Sequence, residues 1–116
     1  MRRRGAGLRL AAAAALGLAA VVPRLAGSAD DAAQLALGKA LFIRDATPPC
    51  ALCHTLKDAG STGAVGPVLD ELQPDEARVL VALKNGIGAM PSFKDTLKEA
   101  QMLALARYVA KASRTP

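Results

Sequence analysis

The sequence of 116 residues contains no tryptophan, one tyrosine and two phenylalanines. A chain this short has only a modest hydrophobic core, and so few aromatic side chains leave that core short of large groups. Cysteine and histidine are also scarce, with two and one, which is fewer than the roughly four ligands of a structural zinc site. No segment has the alternating pattern of a β-strand, and no internal repeat is present. We therefore expect one small helical domain whose side chains do not fill its core alone.

The scarce residues are adjacent, in the string Cys50-Ala51-Leu52-Cys53-His54. C-x-x-C-H is the motif of covalent c-type haem attachment. On a helical turn the two thiols lie on one face, where each can form a thioether with a haem vinyl group, and the histidine is held under the iron. A thioredoxin-like dithiol would need a nearby strand–helix pattern, and a structural disulfide is the other alternative. The motif predicts one covalent haem c with its iron bound by His54, and this haem would also fill the core.

The first 29 residues have the pattern of a secretory signal. Four arginines (Arg2, Arg3, Arg4 and Arg9) precede an apolar run from Leu10 to Val22, and small residues at 26–29 offer a cleavage site after Ala29. The run is shorter than the roughly 20 residues of a membrane span, and an uncleaved anchor is the alternative. We predict a signal peptide over residues 1–29, one cytochrome domain over residues 30–116, and a periplasmic location.

The basic character of the chain belongs to this first segment. The whole sequence has a formal charge of +5, but all its acidic residues lie from Asp30 onward and five of its basic residues lie before it. The remainder is balanced in charge. It therefore gives no support for nucleic-acid binding.

The domain divides into helices and loops. Apolar spacing predicts a first helix over Ala32–Arg44, and a glycine-rich loop over Asp58–Pro67 follows the motif. Pro74 suits the first position of a middle helix that stops at Gly86. Thr96–Glu99 has the pattern of a capping box and predicts a last helix that runs to about Ala112.

This order of elements resembles class I cytochrome c. The resemblance is carried by Cys50–His54, by Gly66-Pro67-Val68-Leu69, by Gly88-Ala89-Met90-Pro91 and by the paired terminal helices. It implies an all-α fold in which three main helices and their loops wrap around one covalent haem. Gly38 and Phe42 match the family's first-helix contact pair, and Leu105 and Tyr108 match the last-helix pair.

Two further site residues are predicted with less local support than the motif has. Met90 lies in a loop and is followed by proline, whereas Met102 lies in an apolar helix, where methionine usually fills the core. We predict Met90 as the second axial ligand, and a thioether ligand raises the reduction potential. By resemblance, the carbonyl of Pro67 accepts the Nδ1–H of His54; the alternative is that Gly66-Pro67 is simply a turn.

These features predict an electron-transfer protein, not an enzyme. Residues 53–57, 63–72 and 85–93 are similar to the small cytochromes paired with bacterial molybdenum sulfite dehydrogenases, which implies such a partner. A general soluble shuttle to a terminal oxidase is the alternative, and haem-based ligand binding or peroxidase activity is a third. Several lysines form either a docking ring for an acidic partner or a solvated face: Lys57, Lys84, Lys94 and Lys98.

Overall fold

The computed structural model describes residue 7 and residues 11–19 and 26–116. Most of the predicted signal peptide lies outside the described residues, and its predicted end at Ala29 falls within the first helix. The helices are α1 (Ala26–Ala40), α2 (Leu69–Leu72), α3 (Glu76–Asn85) and α4 (Glu99–Ala112). A π-helical turn over Leu41–Asp45 extends α1. Two short antiparallel strands, β1 (Thr55–Leu56) and β2 (Ser61–Thr62), pair Thr55 with Thr62 and Leu56 with Ser61.

The first and last helices cross closely at Gly38. A Cβ at this position would overlap the carbonyl oxygen of Ala104 and lie 2.6 Å from the Cβ of Tyr108. One turn further along, the rings of Phe42 and Tyr108 meet edge to face with centroids 6.0 Å apart, a favourable aromatic geometry. The predicted contact between the terminal helices is therefore confirmed for Gly38, Phe42 and Tyr108.

The core lies between α1, α3 and α4. Its most deeply buried large side chains are Phe42, Leu41, Leu56, Leu83 and Leu105. From α3 only Leu83 is buried, and Val81 is 57% exposed. The side chains of Val79 and Ala82 instead line a cavity beneath α3. Among the described residues, no helix is both long enough and apolar enough to cross a membrane.

The helix starts differ from those predicted. Helix α1 begins at Ala26 and not at Ala32, so Asp30 and Asp31 lie inside it. Helix α3 begins at Glu76, because the carboxylate of Asp75 accepts the N–H of Arg78 at 2.8 Å and so caps the helix. Pro74 therefore lies outside α3, and its prediction as a helical residue was wrong.

A cap at Thr96 would start the last helix at residue 97. Helix α4 instead begins at Glu99, two residues later. The Thr96 hydroxyl faces the carbonyl of Phe93, while the N–H of Lys98 donates to the side chain of Gln101 at 2.8 Å. The reciprocal half of a capping box is therefore formed two residues later than predicted, at Lys98 and Gln101. The predicted end at Ala112 is confirmed.

Candidate functional site

A largely apolar cavity of about 370 Å³ opens beside the C-x-x-C-H motif. All five residues predicted for the site, Cys50, Cys53, His54, Pro67 and Met90, line it. The rest of its wall comes mainly from apolar side chains of α2, α3 and the loops on either side, including Leu69, Leu72, Val79, Leu83 and Phe93. A cavity of this size and character is typical of a site for an organic cofactor.

The motif forms a tight helical turn. Cys50–Leu52 is one turn of 3₁₀ helix, and the N–H groups of Cys53 and His54 both donate to the carbonyl of Cys50, at 3.1 and 2.9 Å. Both cysteines face the cavity, whereas Leu52 between them is 65% exposed. The turn therefore presents two thiols to the same space, as the spacing predicts.

The environment of the Cys50 thiol disfavours its thiolate form. Its burial raises its pKa to about 11, so the thiol is protonated at neutral pH. Reactive dithiols have a lowered pKa instead, which favours the nucleophilic thiolate. This environment does not suit the thioredoxin-like alternative.

The imidazole of His54 is held in one orientation. Its Nδ1 lies 2.8 Å from the carbonyl oxygen of Pro67. A carbonyl only accepts hydrogen bonds, so Nδ1 carries the hydrogen and Nε2 keeps a free lone pair. The backbone carbonyl of His54 in turn accepts the hydroxyl of Ser61 at 2.8 Å. The contact inferred by resemblance for Pro67 is thus present in the structure.

Two glycines to which the sequence analysis gave no role in holding the imidazole make this arrangement fit. A Cβ on Gly66 would lie 2.5 Å from Cε1 of His54 and within 2.9 Å of both ring nitrogens. A Cβ on Gly63 would lie 2.7 Å from backbone atoms of Leu52, Cys53 and His54. The loop after β2 therefore lies directly against the motif, and glycine permits this close approach.

Met90 sits in a tightly pinned loop. Its N–H and C=O exchange hydrogen bonds with Ile87 at 2.9 and 3.1 Å. Gly86, at φ +69°, packs against the Met90 carbonyl, where a Cβ would come within 2.7 Å. Met102 is 3% exposed in α4 and is not among the residues that line the cavity. The structure therefore brings Met90, and not Met102, together with the motif.

Arg78 is a further site residue that the sequence analysis missed. Among the described residues that line the cavity, it carries the one formally charged side chain, and its guanidinium has no hydrogen bond or ion pair with another described residue. It lies in the first turn of α3, where the helix dipole disfavours a cation. No pattern in the sequence placed this side chain at the cavity.

One of the four lysines of the predicted docking ring forms an ion pair with an acidic side chain. Lys84 pairs with Glu99 at 2.9 Å, and the two side chains are 40% and 58% exposed. Lys57, Lys94 and Lys98 form no ion pair with the described residues. The local positive charge beside the Met90 loop thus rests mainly on Lys94 and Lys98.

Comparison with known proteins decides the family. The family model described as "Cytochrome C oxidase, cbb3-type, subunit III" matches residues 33–109. The chain belongs to the cytochrome c family. Cytochrome c6 of Synechocystis sp. is 34% identical over 86 residues, which cover 67% of this chain and 65% of that protein. The cytochrome thus spans just under two thirds of the length of that relative.

A solved structure is more similar. The c-type cytochrome SorU from Sinorhizobium meliloti is 48% identical, with a TM-score of 0.68 over 71% of this chain and 93% of that one. The predicted class I cytochrome c fold is confirmed, and the described residues form three main helices, the short α2 and a two-stranded sheet. The relatives are small c-type cytochromes, which are electron carriers, and family membership implies haem c with iron and redox partner proteins.

The cavity fits such a group. It combines two thiols on one turn, an imidazole with a free Nε2 and a thioether within an apolar wall. These are the donors that c-type cytochromes use for attachment and for axial ligation.

Proposed function

We propose that the cytochrome is an exported carrier of single electrons that binds one haem covalently through Cys50 and Cys53, with His54 and Met90 as axial ligands. The observation that carries this proposal is the meeting of these four side chains on the wall of one apolar cavity. When bound, the haem supplies the one-electron iron couple. The chain itself fixes, shields and tunes that couple.

His54 and Pro67 act as a unit in this proposal. The hydrogen bond from Nδ1 to the Pro67 carbonyl fixes the ring and makes Nε2 a stronger donor to a metal. Gly66 keeps the ring in place from the side. A rigid ligand changes little between the two oxidation states, which suits rapid electron transfer.

Met90 completes the proposed ligand set. A thioether is a soft ligand that favours the reduced state and raises the potential. If His54 and Met90 both held the iron, a bound haem would leave no free position for peroxide or a diatomic gas. This argument favours an electron carrier over the peroxidase and gas-binding alternatives.

Arg78 is proposed to neutralise haem carboxylates. Each haem brings two propionates, and an arginine fork is well suited to carboxylate oxygens. The unpaired guanidinium on the cavity wall supports this role.

The proposed organisation is a signal peptide over residues 1–29 and a cytochrome domain over residues 30–116. The arginines and the apolar run in the first segment support export. Export places the protein in the periplasm, where haem would be attached.

The proposed partner is an exported dehydrogenase, and a molybdenum sulfite dehydrogenase is the specific candidate. The segments that resemble cytochromes paired with such enzymes, residues 53–57, 63–72 and 85–93, contribute much of the cavity wall. Val65 and Ile87 line the cavity but are 72% and 66% exposed. They offer an apolar contact surface, and Lys94, which directly follows the cavity residue Phe93 in the sequence, adds a positive charge that suits a partner with an acidic rim.

Stopped-flow reduction by a purified sulfite dehydrogenase tests the partner. We expect fast, sulfite-dependent reduction that slows with added salt and with Lys94→Glu. Lys111→Glu, a matched charge reversal on α4 that does not line the cavity, should leave the rate near wild type. Reduction no faster than that of an unrelated class I cytochrome would leave the general shuttle as the function.

A further inference from the structure

The C-terminal tail is tied to the wall of the haem cavity by one side chain. Arg114 lies just beyond the end of α4. One guanidinium nitrogen donates to the carbonyl of Pro74 at 3.0 Å and to that of Ala110 at 2.6 Å, and the other donates to Gln73 at 2.7 Å. A single planar fork thus joins the last turn of α4 to the linker between α2 and α3.

That linker is strained. Gln73 has φ +45° and is the one non-glycine residue with a positive φ in the described part of the chain. A left-handed conformation is unfavourable for a residue with a side chain and persists where the surroundings hold it. Among the described residues, Arg114 is the one distant residue that forms hydrogen bonds with Gln73 and Pro74.

The same linker forms part of the cavity. Leu72 and Pro74 line it, and Pro74 leads directly into the Asp75 cap of α3, whose residues form the next part of the wall. Any movement of Gln73 would therefore open the wall between α2 and α3. Water admitted there would stabilise the more charged oxidised state and lower the reduction potential.

We propose that Arg114 is a positioning residue that keeps the reduction potential high by clamping the Leu72–Pro74 wall of the haem cavity. This proposal rests on the proposed function, because it needs a haem in that cavity. The proposed effect on the reduction potential depends on the planar geometry of the Arg114 guanidinium and not on its charge alone. Lysine at this position would keep the charge but lose the planar pair of donors.

The test is the reduction potential of the purified holoprotein together with hydrogen exchange across residues 69–80. We expect Arg114→Lys and Arg114→Ala to lower the potential by similar amounts and to speed exchange of the linker roughly tenfold, as the loss of a charge-assisted hydrogen bond implies. Lys111→Ala, which removes a charge from the same end of α4, should change neither quantity.

Four results would overturn the proposal. A wild-type potential in Arg114→Lys would assign any effect of Arg114→Ala to charge, and an equal shift in Lys111→Ala would do the same. If neither Arg114 variant accumulated as holoprotein while Lys111→Ala did, Arg114 would be a determinant of folding instead. If wild-type protein carried no haem, the proposed function would fail first, and the Arg114 proposal would fail with it.

Discussion

Adding one methyl group at Gly66 should disturb the iron site from the side of the imidazole. The Cβ of Gly66→Ala would lie 2.5 Å from Cε1 of His54, whereas carbon atoms in contact prefer about 3.5–4.0 Å. The ring or the Gly66 backbone must therefore shift by roughly 1 Å, and either shift would disturb the Nδ1 hydrogen bond to Pro67, now 2.8 Å long.

The cost can be assembled from its parts. Overpacking of a tight site costs about 1–3 kcal/mol, and a lost hydrogen bond costs about 0.5–1.5 kcal/mol. We expect Gly66→Ala to destabilise the holoprotein by about 2–4 kcal/mol in total. This is a large part of the 5–15 kcal/mol that holds a typical domain together. Because the thioethers would retain the haem, the displaced ligand should also appear as an increase in high-spin iron.

The assay is guanidinium unfolding of the holoprotein, followed by absorbance, with the spectrum of the folded state recorded alongside. Gly60→Ala is the matched control. Gly60 has φ +65° and nothing within 4 Å of its Cβ position, so alanine there should cost about 1–2 kcal/mol through backbone strain alone. Its spectrum should stay that of wild type. Wild-type stability and spectrum in Gly66→Ala would refute the reasoning.

Three further predictions concern the ligand, the pH dependence and the cavity charge. Met90→Ala should abolish the weak near-infrared thioether–iron band, whereas Met102→Ala should keep it and cost about 2–5 kcal/mol of stability as a core truncation; the reverse pattern would assign the ligand to Met102. The hydrogen bond from Tyr108 lowers the pKa of Asp58 in the folded protein. This hydrogen bond therefore stabilises the fold fully above the unfolded pKa of Asp58, about 3.9, and the stabilisation is lost as pH falls through the lower folded pKa. Tyr108→Phe should therefore cost about 1 kcal/mol at neutral pH, since Asp58 is partly exposed, and the difference should shrink on acidification; a difference that stayed constant in acid would contradict this. Arg78→Gln should lower the reduction potential, because a cation beside the haem disfavours the oxidised state, and an unchanged potential would show that Arg78 does not act on the haem.

The local part of the site could be predicted from the sequence. Cys50, Cys53 and His54 are contiguous, so one helical turn fixes their relation without any knowledge of the fold. Met90 could be predicted as a site residue because a methionine in a short loop has few structural roles, in contrast to Met102 in an apolar helix. The hydrogen bond between His54 and Pro67 joins residues 13 apart, and only resemblance to a family anticipated it.

The remainder depends on how distant segments meet. No local pattern shows that Gly66 lies on the imidazole, that Arg78 lines a cavity or that Arg114 reaches Gln73. The start of α4 was misplaced for a related reason. Thr96 lies in the turn that follows Phe93. Leu97 is buried there, and its N–H donates to the carbonyl of Phe93 at 2.9 Å. Tertiary burial thus moved the helix start beyond the local capping signal.

The most direct test of the central claim is peptide mapping by mass spectrometry of the exported, denatured protein. We predict that the peptide with Cys50 and Cys53 carries the added mass of one haem, and that no other peptide does. The same peptide with two free or disulfide-bonded cysteines and no added haem would contradict the account.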